Sequence, residues 1–109
     1  MVIKLLMTNL QSQSFVDALT GYKPIDLMVL MYLFLRMDGS QTIFTPQKKI
    51  QEHFKNEFNS YAINKTLRGL YKSLHVERFP SRLDYAISGL GVQTLFSYIT
   101  RLVNNTLMR

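Results

Sequence analysis

Apolar blocks alternate with short polar breaks along the chain, and the spacing inside each block names an element. From Leu5 to Leu19, Leu6 and Leu10 stand one helical turn apart, Phe15 and Leu19 follow less regularly, and Gly21 closes the block, which predicts a helix. Tyr22-Lys23-Pro24 then connects to a block from Ile25 to Met37 that is apolar nearly all round. That pattern predicts a central, buried helix, with Pro24 where a first turn tolerates proline. Asp38-Gly39-Ser40 is a turn, and Gln41 to Phe44 reads as a very short strand. Thr45-Pro46 looks like an N-cap followed by proline at the first helical position. The helix it opens runs to about Lys55 or Glu57, with Ile50 and Phe54 inside and Lys48, Lys49, Glu52 and Lys55 outside. After a turn at Asn56 to Asn59, Ser60 caps a helix from Tyr61 to Leu74.

Two short strand patterns follow, Val76 to Phe79 and Leu83 to Ile87, with Pro80-Ser81-Arg82 as the tip of a hairpin. Ser88 caps a last helix from Leu90 to about Leu107. Its apolar residues Val92, Leu95, Phe96, Ile99, Leu102, Val103 and Leu107 recur at steps of three and four, with Tyr98 beside the stripe. This is one domain over residues 1–109: an N-terminal helix at 1–21, a core at 24–88 and a C-terminal helix at 89–109.

The helix from Tyr61 separates its residue types around the axis. At about 100° per residue, Ile63, Leu67, Leu70 and Leu74 fall within one aliphatic stripe, and Tyr61, Asn64, Lys65, Arg68 and Lys72 fall roughly opposite. Between the two lie Ala62, Thr66, Gly69 and Ser73, small enough to let another helix approach. No acid occurs between Ser60 and His75. A solvated helix face ordinarily mixes acids with bases and gains from pairs one turn apart. A run of like charges repels, and bound phosphates would offset that cost.

Charge and composition sharpen the picture. Of 109 residues, 13 are Lys or Arg and 7 are Asp or Glu, a formal net charge of +6. From Lys48 to Arg82, eight Lys or Arg stand against three Glu, a net of +5 in 35 residues. A clustered basic field attracts nucleic acid or an anionic membrane surface. On this helix the apolar stripe is needed for the core, which argues against the membrane. The longest apolar run, Leu27 to Leu35, has nine residues, against the roughly 20 that a bilayer needs. The N-terminal apolar segment is too short for a signal peptide and reads as structure. There is no cysteine, so disulfides, thiolate metal sites and a cysteine nucleophile are excluded, and a cytoplasmic chain is expected. His53 and His75 lie on different elements with no carboxylate at ligand spacing from both. No Gly-rich phosphate loop and no G-x-S-x-G motif appears. The sequence predicts no metal, no cofactor and no enzyme.

The order of elements, carried by TPQKKIQEHFKNEFNSYAINKTLRGLYKSLHVERF and RLDYAISGLG, resembles the winged helix-turn-helix domain. That makes the expected fold class mainly α with a small β-hairpin and extra N- and C-terminal helices. Tyr85-Ala86-Ile87-Ser88-Gly89-Leu90-Gly91 is similar to the Tyr-x-Leu-Thr-x-x-Gly pattern of the MarR and PadR regulator families. The size and plan also resemble TubR-type centromere-binding adaptors of plasmid and phage partition systems. The resemblance covers about Ile25 to Leu107. It implies that Tyr61 to Leu74 is the recognition helix and Val76 to Ile87 the wing. One departure stands out: a Gly usually precedes the wing strand, and Ser73-Leu74-His75 stands there, with His75 expected to adopt the left-handed conformation.

The expected function is sequence-specific binding of double-stranded DNA by a homodimer. It would serve as a transcription regulator, or in partition or replication beside a partner protein, associated with the nucleoid or a plasmid. The expected DNA-contacting residues are Lys48, Lys49, Ser60, Tyr61, Asn64, Lys65, Arg68, Lys72, Arg78 and Arg82, with Lys55 adding charge. Asn64 suits adenine, Arg68 suits guanine, and Lys65 and Lys72 suit phosphates. The apolar terminal helices exceed what one small domain buries. This places Leu6, Leu10, Val92, Leu95, Phe96, Ile99, Leu102 and Val103 at a dimer interface. The competing expectation is a protein-interaction module with little DNA affinity that uses those terminal helices.

Overall fold

The computed structural model describes residues 23–107, with side chains described to residue 106. The elements are α1 (Pro24–Leu35), β1 (Thr45–Pro46), α2 (Gln47–His53), α3 (Ser60–Lys72), β2 (Val76–Arg78), β3 (Asp84–Ile87) and α4 (Gly89–Leu107). The helix expected from Leu5 to Leu19, with Leu6 and Leu10, lies outside the described residues.

Helix α1 runs through the centre. Leu27, Met28, Val29, Leu30 and Met31 are buried one after another, then Leu33, so no side of the helix is left to solvent over that stretch. This is why its sequence lacks the two-faced pattern of a surface helix. It packs against α3, α4 and β3. Pro24 opens it, and the backbone N–H of Lys23 donates to Asp26 Oδ2 at 3.2 Å. Burial pushes the Asp26 carboxyl above its ordinary pKa, against the Lys23 hydrogen bond and charge, which pull it down.

The sheet is antiparallel with strand order β1-β3-β2. Central β3 is buried at Tyr85, Ala86 and Ile87, and it pairs Thr45 with Tyr85 on one side and Val76 with Ile87 on the other. The short strand therefore lies at Thr45–Pro46 and not at Gln41 to Phe44. Gln41 makes only an isolated bridge to Asp38 around Gly39, whose φ is +61°. Since Thr45-Pro46 is strand, α2 starts one residue later than expected, at Gln47. Its first N–H donates to the carbonyl of Leu83 at 2.8 Å, which ties α2 to the hairpin.

Ile50 and Phe54 point inward from α2, as their spacing predicts. Asn59, one residue before the expected Ser60, caps α3: its side-chain oxygen accepts from the N–H of Ala62 at 2.8 Å. Ser88 does cap α4, its hydroxyl accepting from the N–H of Gly91 at 3.0 Å. Leu95, Tyr98 and Leu102 of α4 join the core of α1, α3 and β3. The Tyr98 hydroxyl is buried without a hydrogen-bond partner among the described residues, and desolvation pushes its pKa up to about 12.

Candidate nucleic-acid interface

Helix α3 is amphipathic because two surroundings claim its two sides. Ile63, Leu67 and Leu70 are buried against α1, whereas Tyr61, Lys65, Arg68 and Lys72 are exposed, Tyr61 at 67%. Lys48 and Lys49 on α2, Ser60 at the start of α3, and Arg78 and Arg82 in the hairpin are exposed as well. Among the described residues, Lys48, Lys49, Lys65, Arg68, Lys72 and Arg78 form no ion pair; the salt bridges are Lys55 to Glu52 at 2.8 Å and Arg82 to Asp84 at 3.3 Å. Lys55 is thus partly neutralised, and the hydrogen bond it donates to the Glu52 carboxylate holds its ammonium above the ordinary lysine pKa.

Asn64 differs from its neighbours. It is half-buried, and Gln51 of α2 donates from Nε2 to its Oδ1 at 2.7 Å. The partners are thirteen residues apart, and no pattern in the chain links them.

The small residues Ala62, Thr66, Gly69 and Ser73 face the start of α1 among the described residues. They line a cleft of about 510 Å³ with Lys23, Ile25, Asp26 and Lys65. A Cβ at Gly69 would meet nothing within 4 Å.

The C-terminal end of α3 sets the direction of the hairpin. The N–H of His75 donates to Leu70 O at 2.9 Å and that of Leu74 to Tyr71 O at 3.1 Å, the bond pattern of a Schellman cap. Leu74 is the left-handed residue of that cap, with φ 68°, not His75 as expected. It therefore leaves the aliphatic stripe and is 69% exposed. His75 is buried, its Nδ1 is 2.7 Å from Ser73 Oγ, and desolvation lowers its pKa against the charge of Asp26. Helix α4 closes over this turn. Ser88 Oγ donates to Leu74 O, the N–H of Ser88 donates to His75 O at 3.1 Å, and a Cβ at Gly91 would sit 2.2 Å from His75 O. The Tyr85 to Gly91 motif is thus a clamp: strand, cap, and a glycine where backbone meets backbone.

In the hairpin, aromatic rings hold the guanidiniums. Arg78 lies 5.1 Å from the centroid of Tyr71 on α3, and Arg82 lies 4.5 Å from that of Phe79. The tip is wider than Pro80 to Arg82, since the strands stop at Arg78 and resume at Asp84. Sequence reasoning missed Gln51, Tyr71, Phe79 and Asp84 as supports. Of these, only the neighbours Phe79 and Asp84 carry a local signal.

The expected interface residues of α4 divide. Leu95 and Leu102 are buried in the chain's own core, and Val92 and Ile99 pack against it. Phe96 at 49% and Val103 at 41% remain exposed. Phe96 meets Phe34 of α1 edge to face at 5.2 Å. Among the described residues no group of three or more His, Asp or Glu is placed to hold a metal ion. No described helix is long and apolar enough to cross a membrane.

No family model and no curated protein matches this chain. Among solved structures it is similar to a mutant of S. aureus MepR bound to an oligodeoxyribonucleotide. The TM-score is 0.63 at 15% identity, over 98% of this chain and 77% of that chain. The likeness is one of fold: this chain is a winged helix-turn-helix, with α2 and α3 as the helical pair and β2 and β3 as the wing.

Proposed function

We propose that this protein binds double-stranded DNA with α3 in the major groove and the β2–β3 wing on the flanking backbone or minor groove. The carrying observation is the outer face of α3, where Lys65, Arg68 and Lys72 are exposed, form no ion pair among the described residues and have no acid beside them. Lys48 and Lys49 on α2 and Arg78 and Arg82 in the hairpin add exposed positive charge on the neighbouring elements. The fold likeness to a protein solved on an oligodeoxyribonucleotide supports the same reading. Phosphate contacts would supply most of the affinity, and Tyr61, Asn64 and Arg68 would read base edges.

The functional unit in this reading is a homodimer of one-domain chains that addresses two half-sites in the cytoplasm. Of the α4 residues expected at the interface, Phe96 and Val103 are exposed and available for it, with Leu6 and Leu10 of the N-terminal segment as further candidates. Its role is transcription regulation, with partition or replication beside a partner protein as the alternative. A protein-interaction module that uses the Phe96 and Val103 face is the competing reading, favoured by that apolar exposure alone.

Binding to random duplex DNA at two salt concentrations tests the proposal. The wild type should bind in a salt-sensitive way, and the Arg68→Ala, Lys72→Ala double variant should lose affinity and about 2 units of log–log salt slope per protomer if both residues neutralise phosphates. Binding that is absent, or indifferent to those two residues, rules out this role for α3.

A further inference from the structure

Asn64 stands on the outer side of α3, three residues after Tyr61 and four before Arg68, so the three share a face. Unlike those two, its side chain is anchored. Gln51 Nε2 donates to Asn64 Oδ1 at 2.7 Å, and both residues are half-buried, so the bond is partly shielded from competing water.

A carboxamide recognises adenine by using both of its edges at once: the oxygen accepts from N6–H and the nitrogen donates to N7. The Gln51 bond turns the oxygen edge of Asn64 toward α2. With that edge turned to α2 and one Oδ1 lone pair held by Gln51, the edge left for a ligand is Nδ2, which carries two N–H donors and no acceptor. In the major groove guanine offers two acceptors, N7 and O6, side by side, whereas adenine places a donor at the second position. A donor-only amide matches guanine and meets adenine donor to donor.

We infer that Gln51 is a specificity-setting positioning residue: by holding Asn64 Oδ1, it makes Asn64 select guanine over adenine. This rests on the DNA-binding reading above and replaces the adenine preference expected from the residue type alone.

The test is selection from a randomised duplex library, with base preference read position by position. Wild type, Gln51→Ala, Gln51→Glu, Asn64→Ala and the Gln51→Ala, Asn64→Ala double variant are compared, with the melting temperature of each as a check on folding. The wild type should show a guanine preference that Asn64→Ala abolishes. At that position Gln51→Ala should shift the guanine-to-adenine ratio by about tenfold toward adenine. Gln51→Glu replaces the amide donor with a carboxylate that only accepts. It should draw Asn64 Nδ2 inward, leave Oδ1 outward, and favour bases that present a donor, adenine or cytosine. In the Asn64→Ala background Gln51→Ala should change nothing further.

Folded Gln51 variants that keep the wild-type base preference overturn the inference and leave the DNA-binding reading standing. So does an Asn64→Ala profile identical to wild type. A wild type that binds no duplex at either salt concentration removes both. Because the readout is a ratio between bases, a general loss of affinity from the added charge of Gln51→Glu does not imitate the expected result.

Discussion

Gly69 and Gly91 lie on either side of the Leu74–His75 turn and meet opposite surroundings. A methyl at Gly69 would meet nothing within 4 Å, whereas at Gly91 it would run into His75 O at 2.2 Å and Ile87 Cγ1 at 2.7 Å. The same contrast holds for the regions around them. The outer side of α3 offers Tyr61, Lys65, Arg68 and Lys72 to solvent. At the joint between α3, the wing and α4, Ser88 donates from its N–H to His75 O and from its hydroxyl to Leu74 O. One region is free to be reshaped, and the other sets where the proposed DNA-binding surface points. A winged helix needs both, because contacts to a groove succeed only when helix and wing keep a constant angle to each other.

The sharpest way to break the contrast uses two adjacent residues of α3. Leu67 is fully buried and Arg68 is exposed. Leu67→Ala should cost about 2–5 kcal/mol in chemical denaturation, because a cavity in a core this small has little chance to collapse. Arg68→Ala should change stability by less than about 0.5 kcal/mol yet weaken binding to duplex DNA. If Arg68→Ala destabilised the fold as Leu67→Ala does, the outer side would be structural and its proposed role would fall.

The glycine pair provides the next test. Gly91→Ala forces a methyl against a carbonyl oxygen of the main chain, which no rotamer change relieves. A loss of about 1–3 kcal/mol is expected. Gly69→Ala, in the middle of α3 and open to space, should instead stabilise by about 0.5–1 kcal/mol through helix propensity. Opposite signs for the same added methyl, read as melting temperatures, would show that the division between open face and closed joint is energetic. Equal effects would dissolve it.

Local features were legible in the chain, and features set by partners distant in sequence were not. The Ser88 cap, the inward Ile50 and Phe54, and the all-round apolar α1 follow from residues within a turn or two of each other. Strand β1 was expected at Gln41 to Phe44 because those residues favour extension. Its place at Thr45–Pro46 is decided by pairing with Tyr85 and Asp84. The cap of α3 falls on Asn59 and not Ser60, although both residue types cap well, because Asn59 is the residue whose extended backbone places its oxygen 2.8 Å from the Ala62 N–H. In the candidate interface the exposed bases could be read from the missing acids. The supports could not: Gln51 meets Asn64, and Tyr71 meets Arg78, only once the helices and the wing are folded. The C-terminal stripe overstated what a partner could cover, since α4 spends Leu95, Tyr98 and Leu102 on its own core.

The smallest expected effect lies at the hinge between the two regions. Leu74 occupies the left-handed position that closes α3, with φ 68°, where glycine is the usual residue. The strain of a side chain there is about 1–2 kcal/mol. Little burial offsets it, for the side chain is 69% exposed. Leu74→Gly therefore relieves the strain, at the cost of about 0.5–1 kcal/mol for the greater freedom of glycine in the unfolded chain. The net gain should be a fraction of a kcal/mol to about 1 kcal/mol, a rise of a few degrees in melting temperature for a domain of this size. If Leu74→Gly lowered the melting temperature, the leucine would have to be stabilising the joint through contacts that its exposure does not suggest. If the gain appeared but the variant bound DNA less well, the strained leucine would belong to the binding surface. The boundary between open face and closed joint would then run through Leu74 itself.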